Sequence, residues 1–492
     1  MSLITNGGSL NQVPGAIQGE TLNTNYLDFA AGTADWAAQY LPEVMEQEAE
    51  VFGNRTISGF LSQVGAEEPM SSDQVIWSEQ GRLHLAYTAD ITNLTAGTAA
   101  GGRITIIDHI DTNAAYVANT HGIRPGDTVL LATTAGTLKC YVEAAANGSN
   151  VVDVVPYTQA NLGSAGVTMV TGSENARVFV YGSEFVKGAA GRAMSNIASH
   201  VTLSNKPIIL KDYYEVSGSD TAQIGWVEVS GEDGQSGYFW YLKSAGETRS
   251  RFSDYLETAM LEGELDTGGA TSAVDTALGV AGNSVGTEGL FAAVRDRGNS
   301  TGGITGISAA ADLAEFDAIL AEFDSQGAIE EYMMFVDRTT SLAIDDMLAS
   351  MNAMGAGGTS YGVFNNSADM ALNLGFTGFR RGSYDFYKSD FKYLNQKDGR
   401  GAINAMAAGD AIRGVMIPAG VSSVYDQAMG RNIKRPFLHV RYRASQADNR
   451  KYKSWVVGSV GAMTSGDDQM QMHFLSERCL VTQGANNFML LS

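Results

Sequence analysis

A single amphipathic helix, predicted from about Ala245 to Gly263, is the feature that most constrains how this chain folds. Its apolar residues recur at the spacing i, i+3, i+4, i+7 and i+8, which is typical of one buried stripe. They are Phe252, Tyr255, Leu256, Ala259 and Met260. About 240 residues of predicted strands, turns and extended arm precede the helix, and mixed helices and strands follow it. This order joins an extended part to a compact part, which favours a building block over an enzyme.

The composition is poor in charge and rich in glycine. Charged residues are 17% of the 492 residues, against about 25% in ordinary soluble domains. Glycine contributes 57 residues, well above its average share of about 7%. Two explanations stay open: neighbouring subunits cover much of the surface, or the chain is a β-rich protein with many turns.

The net charge of −22 argues against a nucleic-acid-binding face, because such a face needs clustered lysine and arginine. It does not exclude a protein that encloses nucleic acid without binding it. One basic cluster stands out, formed by Arg431, Lys434, Arg435, Arg441, Arg443, Arg450, Lys451 and Lys453. We interpret it as a contact with an acidic neighbouring subunit, with a nucleic-acid contact as the less favoured alternative.

The cysteines and the chain start indicate a protein made inside the cell. Cys140 and Cys479 are far apart in sequence, so we predict two free, buried thiols rather than a disulfide framework. Residues 1–19 have neither a basic region nor an apolar run, so we predict no signal peptide. No run of 18 apolar residues predicts a transmembrane helix.

The region from Gly101 to Gly182 differs in character from its surroundings. Short β-branched runs alternate there with Gly-Asp, Ala-Gly and Asn-Gly turns, as in a small sandwich or barrel. Its flanks, 95–102 and 172–176, consist of small residues that we take as flexible. We predict a β module inserted into a longer excursion, which returns through Lys206–Lys211 and Gln223–Val229.

The remaining elements follow from local patterns. Residues 1–35 are predicted to be an extended arm, followed by a short helix that begins near Pro42. Residues 265–286 are predicted to be a linker. The later predicted elements are helices at 310–323 and 340–351 (with Leu342 on the apolar side), a buried strand at 332–336, and strands at 384–388, 414–417, 437–443, 454–460, 470–475 and 480–482.

One motif matches an enzyme signature. Residues 358–362 read G-x-S-x-G, the turn that exposes the nucleophile of serine hydrolases, with Ser360 at its centre. Asp385 and either His439 or His473 follow in the required order. The motif lacks the preceding strand that this turn requires, so we interpret it as a flexible loop.

Three acidic groups complete the search for chemistry. Asp108-His109-Ile110-Asp111 offers metal-ligand residue types, although a solvated turn is the favoured interpretation. The pairs Asp345-Asp346 and Asp467-Asp468 are interpreted as solvated faces. We therefore predict no catalytic residue, no cofactor and no metal site, and no enzyme activity.

Three stretches carry a family resemblance. They are the helix at 245–263, the helix–strand–helix region at 315–351 with its sequel at 374–387, and the segment 475–488. In the last, Glu477-Arg478 precedes an apolar run and an Asn/Ala-rich end. Together with the order of parts over the whole chain, these stretches resemble the major capsid protein of tailed bacteriophages, which has the HK97 fold. Within that family the sequence is similar in character to those of short-tailed phages, including crAss-like ones.

The resemblance implies an α+β fold with a definite division of the chain. Residues 1–73 would be an N-terminal arm, and 74–236 the extended E-loop with its inserted β module at about 101–182. Residues 237–275 would form the peripheral domain with its spine helix, 276–424 the axial domain, and 425–492 the closing strands of the peripheral domain. Many relatives begin with a scaffolding segment that a protease removes, whereas this chain is expected to begin with its arm.

The resemblance also implies a function. The chain would self-assemble into hexamers and pentamers of an icosahedral head enclosing double-stranded DNA, with a portal protein at one vertex and room for separate scaffolding and decoration proteins. It would be assembled in the host cytoplasm, reside in the virion and have no membrane partner. Lys187, Lys206 and Asn487 are of the types that crosslink in some relatives, but nothing around them predicts a crosslink. The alternatives are an encapsulin-like shell protein and, from another class, a serine hydrolase that uses Ser360.

Overall fold

The structure is a computed structural model that describes most of the chain from residue 66 to residue 492. The described residues are 66–80, 86–109, 121–145, 148–172, 176–192, 200–219, 228–230, 236–266, 272–280, 285–327, 329–353, 378–397, 399–406, 410–419, 421–426, 431–459 and 464–492. The predicted arm, the helix near Pro42 and the 358–362 motif lie outside them.

The helices are α1 (Phe239–Glu262), α2 (Ala273–Leu278), α3 (Leu290–Arg297), α4 (Ala309–Gln326), α5 (Arg338–Ala353), α6 (Lys392–Asn395) and α7 (Arg400–Met406). The first strands are β1 (Ala66–Met70), β2 (Val75–Gln80), β3 (Ala86–Asn93), β4 (Arg103–His109), β5 (Asp127–Thr133), β6 (Gly136–Ala145), β7 (Val151–Pro156), β8 (Ala176–Ser183), β9 (His200–Asn205), β10 (Ile208–Ser217), β11 (Glu228–Ser230) and β12 (Ser236–Tyr238). The later strands are β13 (Asn299–Thr301), β14 (Glu331–Val336), β15 (Gly378–Arg381), β16 (Tyr384–Asp390), β17 (Gly414–Pro418), β18 (Val421–Asp426), β19 (Arg431–Pro436), β20 (Leu438–Arg443), β21 (Lys453–Gly458), β22 (Gln469–Thr482) and β23 (Met489–Leu491). The α+β class is as predicted, and none of the helices in these ranges is long and apolar enough to cross a membrane.

Strands β3 to β8 close into a barrel in the order β3-β4-β7-β6-β5-β8. Alternate residues point inward, as the period of two requires, and fill the barrel with their own core. That core is drawn from residues between Tyr87 and Val180 and includes Ile104, Leu131 and Val178. The barrel therefore has the interior of a separate folding unit.

The barrel begins earlier than the predicted module, because β3 pairs with both β4 and β8 and closes the ring. The predicted flexible flank 95–102 is instead the connection from β3 to β4. Gly101 and Gly102 are buried there: a Cβ on Gly101 would lie 2.4 Å from the Val154 oxygen, and one on Gly102 would lie 2.4 Å from Leu162. These glycines permit close approach rather than flexibility.

Strands β2 and β9 form a two-stranded antiparallel ribbon. They flank the barrel in sequence, so the chain leaves along β2 and returns along β9. Strand β10 follows at once and joins a five-stranded sheet, in which β22 lies between β10 on one side and β20 and β21 on the other. Strand β1 extends this sheet by pairing in parallel with β20.

Strand β22 is continuous from 469 to 482, whereas the sequence predicted two strands with a break at 476–479. Polar residues cause that apparent break, but both edges of the strand are hydrogen-bonded through it. Arg478 is in register with Ile208 of β10 and with Tyr442 of β20. Long-range pairing thus overrides the local pattern.

Helix α1 covers one face of the five-stranded sheet. Phe252, Leu256 and Met260 are buried along it, as the stripe predicted. Phe252 packs against Phe474 of β22, with ring centroids 5.9 Å apart. Tyr255 was predicted in the same stripe but is 47% exposed, because the sheet covers a narrower arc of the helix than the spacing indicated.

A six-stranded sheet in the order β13-β23-β17-β14-β16-β15 forms the second compact part. Helices α4 and α5 pack on it through a core that includes Phe316, Phe323 and Ile344. Leu342 of α5 was predicted on the apolar side but is exposed. Strand β23 lies in this sheet, although residues 425–492 were predicted to close the other part of the molecule.

The predictions for Asp345 and for the linker at 265–286 are also corrected. Asp345 was interpreted as solvated, yet it is buried and pairs with Lys388 at 2.5 Å, while Asp346 is exposed as expected. The predicted linker at 265–286 contains α2, which begins where the Ser272 hydroxyl accepts a hydrogen bond from the amide of Asp275.

Cys140 and Cys479 are free and buried, which confirms the thiol prediction. Burial raises the pKa of each thiol to about 12. The reactive thiolate is therefore scarce at pH 8 in the native protein.

We expect both thiols to react with a thiol reagent at pH 8 only after denaturation, when the pKa returns to about 8.5. The check is the number of thiols titrated before and after addition of guanidinium chloride. Rapid reaction of either cysteine in the native chain would show that its site is open to solvent.

We expect the barrel to be removable as a unit. Replacing residues 86–183 by a short Gly/Ser linker should leave the rest of the chain cooperative in thermal unfolding, because the described residues of the barrel core all lie between Tyr87 and Val180. Replacing only 101–182 is the matched control: it leaves β3 without β4 and β8, exposes Tyr87 and Ile91, and should aggregate. Equal behaviour of the two deletions would contradict the barrel boundary.

Candidate assembly surfaces

The base of the ribbon is fixed by one buried side chain, Asn205, at the end of β9. Its amide nitrogen donates to the carbonyl oxygens of Leu480 at 2.6 Å and Glu288 at 2.9 Å. Its carbonyl oxygen accepts from the amides of Glu288 at 2.9 Å and Lys206 at 2.8 Å and from the Thr287 hydroxyl at 3.3 Å. Asn205 therefore ties the ribbon to β22 and to the loop before α3.

A second anchor comes from β2. Glu79 accepts hydrogen bonds from the indole nitrogen of Trp77 at 3.0 Å and from the amide of Gly484 at 2.9 Å. Gly484 has a φ of +60° and lies just after β22, so the ribbon is held at both strands. Two anchors on different strands fix the direction in which the ribbon leaves the sheet.

Along the stretch between these anchors, the ribbon exposes apolar side chains on both faces. Ile76 of β2 is 61% exposed and Val201 of β9 is 52% exposed. Val201 is in register with Glu79, so it shares the face of Trp77, whereas Ile76 lies on the opposite face. A two-stranded ribbon is marginally stable alone and is stabilised when another surface covers it.

The face of the five-stranded sheet opposite α1 carries a row of stacked aromatic rings. Tyr213 of β10, His473 of β22 and Trp455 of β21 are in register across the three strands. The ring centroids are 5.8 Å apart for Tyr213 and His473 and 5.3 Å for Trp455 and His473. Tyr213 and Ile209, which lies on the same face of β10, are more than half exposed. This face is thus a second apolar surface.

The basic cluster was predicted to meet an acidic neighbour, but its described members pair within the chain. Lys451 pairs with Glu67 of β1, and Arg441 pairs with Glu68 of β1 at 2.8 Å. The acids that neutralise them arrive with the parallel edge strand. The side chains of Arg431, Lys434 and Arg435 lie outside the described residues.

The pair Glu477-Arg478 uses both faces of β22. Glu477 binds Arg443 at 3.1 Å and Arg450 at 2.8 Å. Arg478 points the other way, donates to the Ser476 hydroxyl and to the Lys451 carbonyl oxygen at 3.0 Å each, and lies 3.8 Å from Glu67. Burial lowers the pKa of Arg478, so these partners hold a cation in a poorly solvated place.

The predicted hydrolase residues are spread over different parts of the fold. Ser360 lies outside the described residues. Asp385 of β16 lies 3.5 Å from Arg380 in the six-stranded sheet, whereas His439 and His473 belong to the five-stranded sheet, with His439 buried. His109 and Asp111 of the candidate metal cluster also lie outside the described side chains. Within the described part, no group of three or more His, Cys, Asp or Glu residues is placed to hold a metal ion.

No family model and no curated protein matches the chain. Solved structures do match. One from Microbacterium phage Oxtober96 has 11% identity and a TM-score of 0.39, covering 93% of this chain and 98% of its own. One from Mycobacterium phage Ogopogo has 9% identity and a TM-score of 0.42, with coverages of 92% and 97%.

A third similar structure is the capsid of a native gene transfer agent particle, with 10% identity, a TM-score of 0.37 and coverages of 94% and 98%. The matching structures are phage capsids, mostly phage major capsid proteins, together with this particle.

We expect Asn205→Ala to lower the free energy of unfolding by about 2–3 kcal/mol, because it leaves buried carbonyl and amide groups without partners. Urea denaturation of the full chain measures this. Asn205→Asp keeps the shape and the acceptor but removes both donors, and should be at least as destabilising. The control, Asn449→Ala, removes one exposed acceptor for the Lys451 amide and should cost about 1 kcal/mol or less. Equal losses at both sites would contradict the anchoring role of Asn205.

Proposed function

We propose that this chain is a major capsid subunit of HK97-like fold that assembles into the hexamers and pentamers of an icosahedral phage head around double-stranded DNA. The observation that carries the proposal is the ribbon: β2 and β9 are fixed by Asn205 at one end and by Glu79 near the other, yet they expose Ile76 and Val201 on opposite faces. A strand pair that is fixed in direction and apolar on both faces is suited to lie between other subunits.

Neighbouring copies supply the cover that the ribbon lacks. Apolar area removed from water contributes about 25 cal/mol per Å². In a closed symmetric shell every copy gives and receives the same contacts, so modest contacts add up to a stable lattice. The face with Tyr213, Trp455 and Ile209 is a second surface for such contacts.

The parts of the fold correspond to the proposed domains as follows. The ribbon and barrel are the extended E-loop with its inserted module, and the sheet with α1 is the peripheral domain with its spine helix. The six-stranded sheet with α4 and α5 is the axial domain. Residues 1–65, which precede β1, are the main part of the N-terminal arm.

The remaining parts of the proposal concern partners and place. The chain acts without catalysis or cofactor, and its charge of −22 suits a wall that tolerates packed DNA without binding it. A portal protein occupies one vertex, and any scaffolding or decoration proteins are separate chains. Assembly takes place in the host cytoplasm, and the product resides in the virion.

Sedimentation and negative-stain microscopy of the full chain test the proposal. We expect capsomers or shells, and we expect Ile76→Lys to shift the protein to smaller species, because an ammonium group in an apolar contact costs several kcal/mol. A loss of at least tenfold in association constant corresponds to about 1.4 kcal/mol.

Val170→Lys is the matched control, since Val170 is 62% exposed but lies in the barrel unit, away from the ribbon. This variant should assemble as the unaltered chain does, and both variants should keep the native circular dichroism spectrum. A compact 52 kDa monomer at micromolar concentration would overturn the proposal. Normal assembly of Ile76→Lys would overturn the role of the ribbon.

A further inference from the structure

An open groove of about 820 Å³ runs across the outside of the barrel. Strands β5, β6 and β8 form its floor, and the residues after β7 and β8 form its rim. Of the eleven residues that line it, Leu138 belongs to the barrel core, and none belongs to the ribbon or to the aromatic face of the five-stranded sheet.

Two tyrosines line the groove and are half exposed: Tyr157 and Tyr181 each expose 48% of their surface. Tyr157 is held in place, since its hydroxyl donates to the Glu184 carboxylate and its amide donates to the Lys139 carbonyl oxygen at 3.1 Å. Glu184 is fixed in turn by its amide, which donates to the Gly126 carbonyl oxygen at 3.0 Å. The Tyr157 ring is thus pre-organised before any ligand arrives.

The hydroxyl groups cluster closely enough to affect one another. Desolvation, the hydrogen bond and charge of Glu184, and the nearby Tyr181 and Tyr141 together raise the pKa of Tyr157. Tyr157 therefore stays neutral at physiological pH and remains a hydrogen-bond donor and acceptor.

The floor of the groove is kept open by a glycine. Gly182 of β8 is in register with Thr128 of β5, and a Cβ at Gly182 would lie 3.2 Å from the Thr128 hydroxyl oxygen. A side chain here would enter the groove between Thr128 and Tyr181.

The chemistry of the lining selects a class of ligand. Six of the eleven lining residues carry a hydroxyl, and the charged ones are one lysine and one glutamate. A single Lys139 beside Glu184 disfavours a phosphate or a nucleic acid strand, which needs several cations. The aliphatic residues are Leu130 and the buried Leu138, which is little apolar area for a protein partner.

A neutral sugar fits this arrangement. One face of a hexose presents C–H groups, which pack against the electron-rich face of an aromatic ring. Its edge presents hydroxyls, which exchange hydrogen bonds with hydroxyl, carboxylate and ammonium groups. We propose that the groove binds a neutral oligosaccharide, with sugar rings stacked on Tyr157 and Tyr181 and sugar hydroxyls bonded to Glu184 and Lys139.

Titration calorimetry and saturation-transfer NMR of the full chain test this site. The probes are neutral oligosaccharides of glucose, mannose, galactose, rhamnose and N-acetylglucosamine, with oligothymidylate as a charged comparison. We expect at least one neutral probe to bind and Tyr181→Ala to weaken it at least tenfold. Thr137→Trp fills the groove from an exposed strand position and leaves both tyrosines in place, and it should also abolish binding.

Phe179→Ala is the matched control, because Phe179 lies two residues before Tyr181 on β8 and is 42% exposed, but does not line the groove. It should leave the affinity unchanged. Three results would overturn the proposal: no neutral probe binds, oligothymidylate binds in their place, or Phe179→Ala weakens binding as much as Tyr181→Ala. The site lies within the barrel, so these outcomes are independent of whether the chain forms a shell.

Discussion

Strand β22 forms hydrogen bonds along both edges, and segments from distant parts of the chain depend on it for their position. Strand β10 lies on one side, β20 and β21 lie on the other, and α1 packs on its face through Phe252 and Phe474. The adjacent Glu477 and Arg478 bind partners on opposite faces of this strand. Removing one partner of a buried ion pair costs about 3–5 kcal/mol, because the remaining charge stays buried without compensation. This strand therefore fixes the frame on which the more extended parts are mounted.

The ribbon joins the barrel to the sheet that contains β22. The barrel is filled by its own core, while the ribbon is held by Asn205 at one end and by Glu79 near the other. These two anchors set the direction of the ribbon but leave the apolar side chains of Ile76 and Val201 exposed. A ribbon with a fixed direction and an exposed apolar surface suits an assembling subunit, because neighbouring subunits can cover that surface.

The described basic residues of 441–453 form ion pairs with acids of the same chain. The basic residues of 441–453 meet acids of β1, of β22 and of their own loop, so the described part of that cluster is not a free positive patch. Exposed ion pairs of this kind contribute little each, but together they give the edge strand β1 its register. Over the whole chain acids outnumber bases, which gives the net charge of −22.

Local pattern determined the elements whose signals are local. The spacing of Phe252, Leu256 and Met260 predicted α1 and its buried side, and the short β-branched runs predicted β4 to β8 almost strand by strand. Such features depend on a period of 3.6 or 2 within one segment, which the sequence displays directly.

Tertiary structure decided what depends on partners remote in sequence. Strand β3 belongs to the barrel because it pairs with β8, almost a hundred residues away, and Asn205 is an anchor because Leu480 and Glu288 come to it. Tyr255 is exposed because it lies outside the side of α1 that the sheet covers, and Tyr157 and Tyr181 share a groove only once the barrel closes. The physical reason is the same in each case: hydrogen bonds and burial are properties of pairs of surfaces, and one segment of sequence contains only one member of each pair.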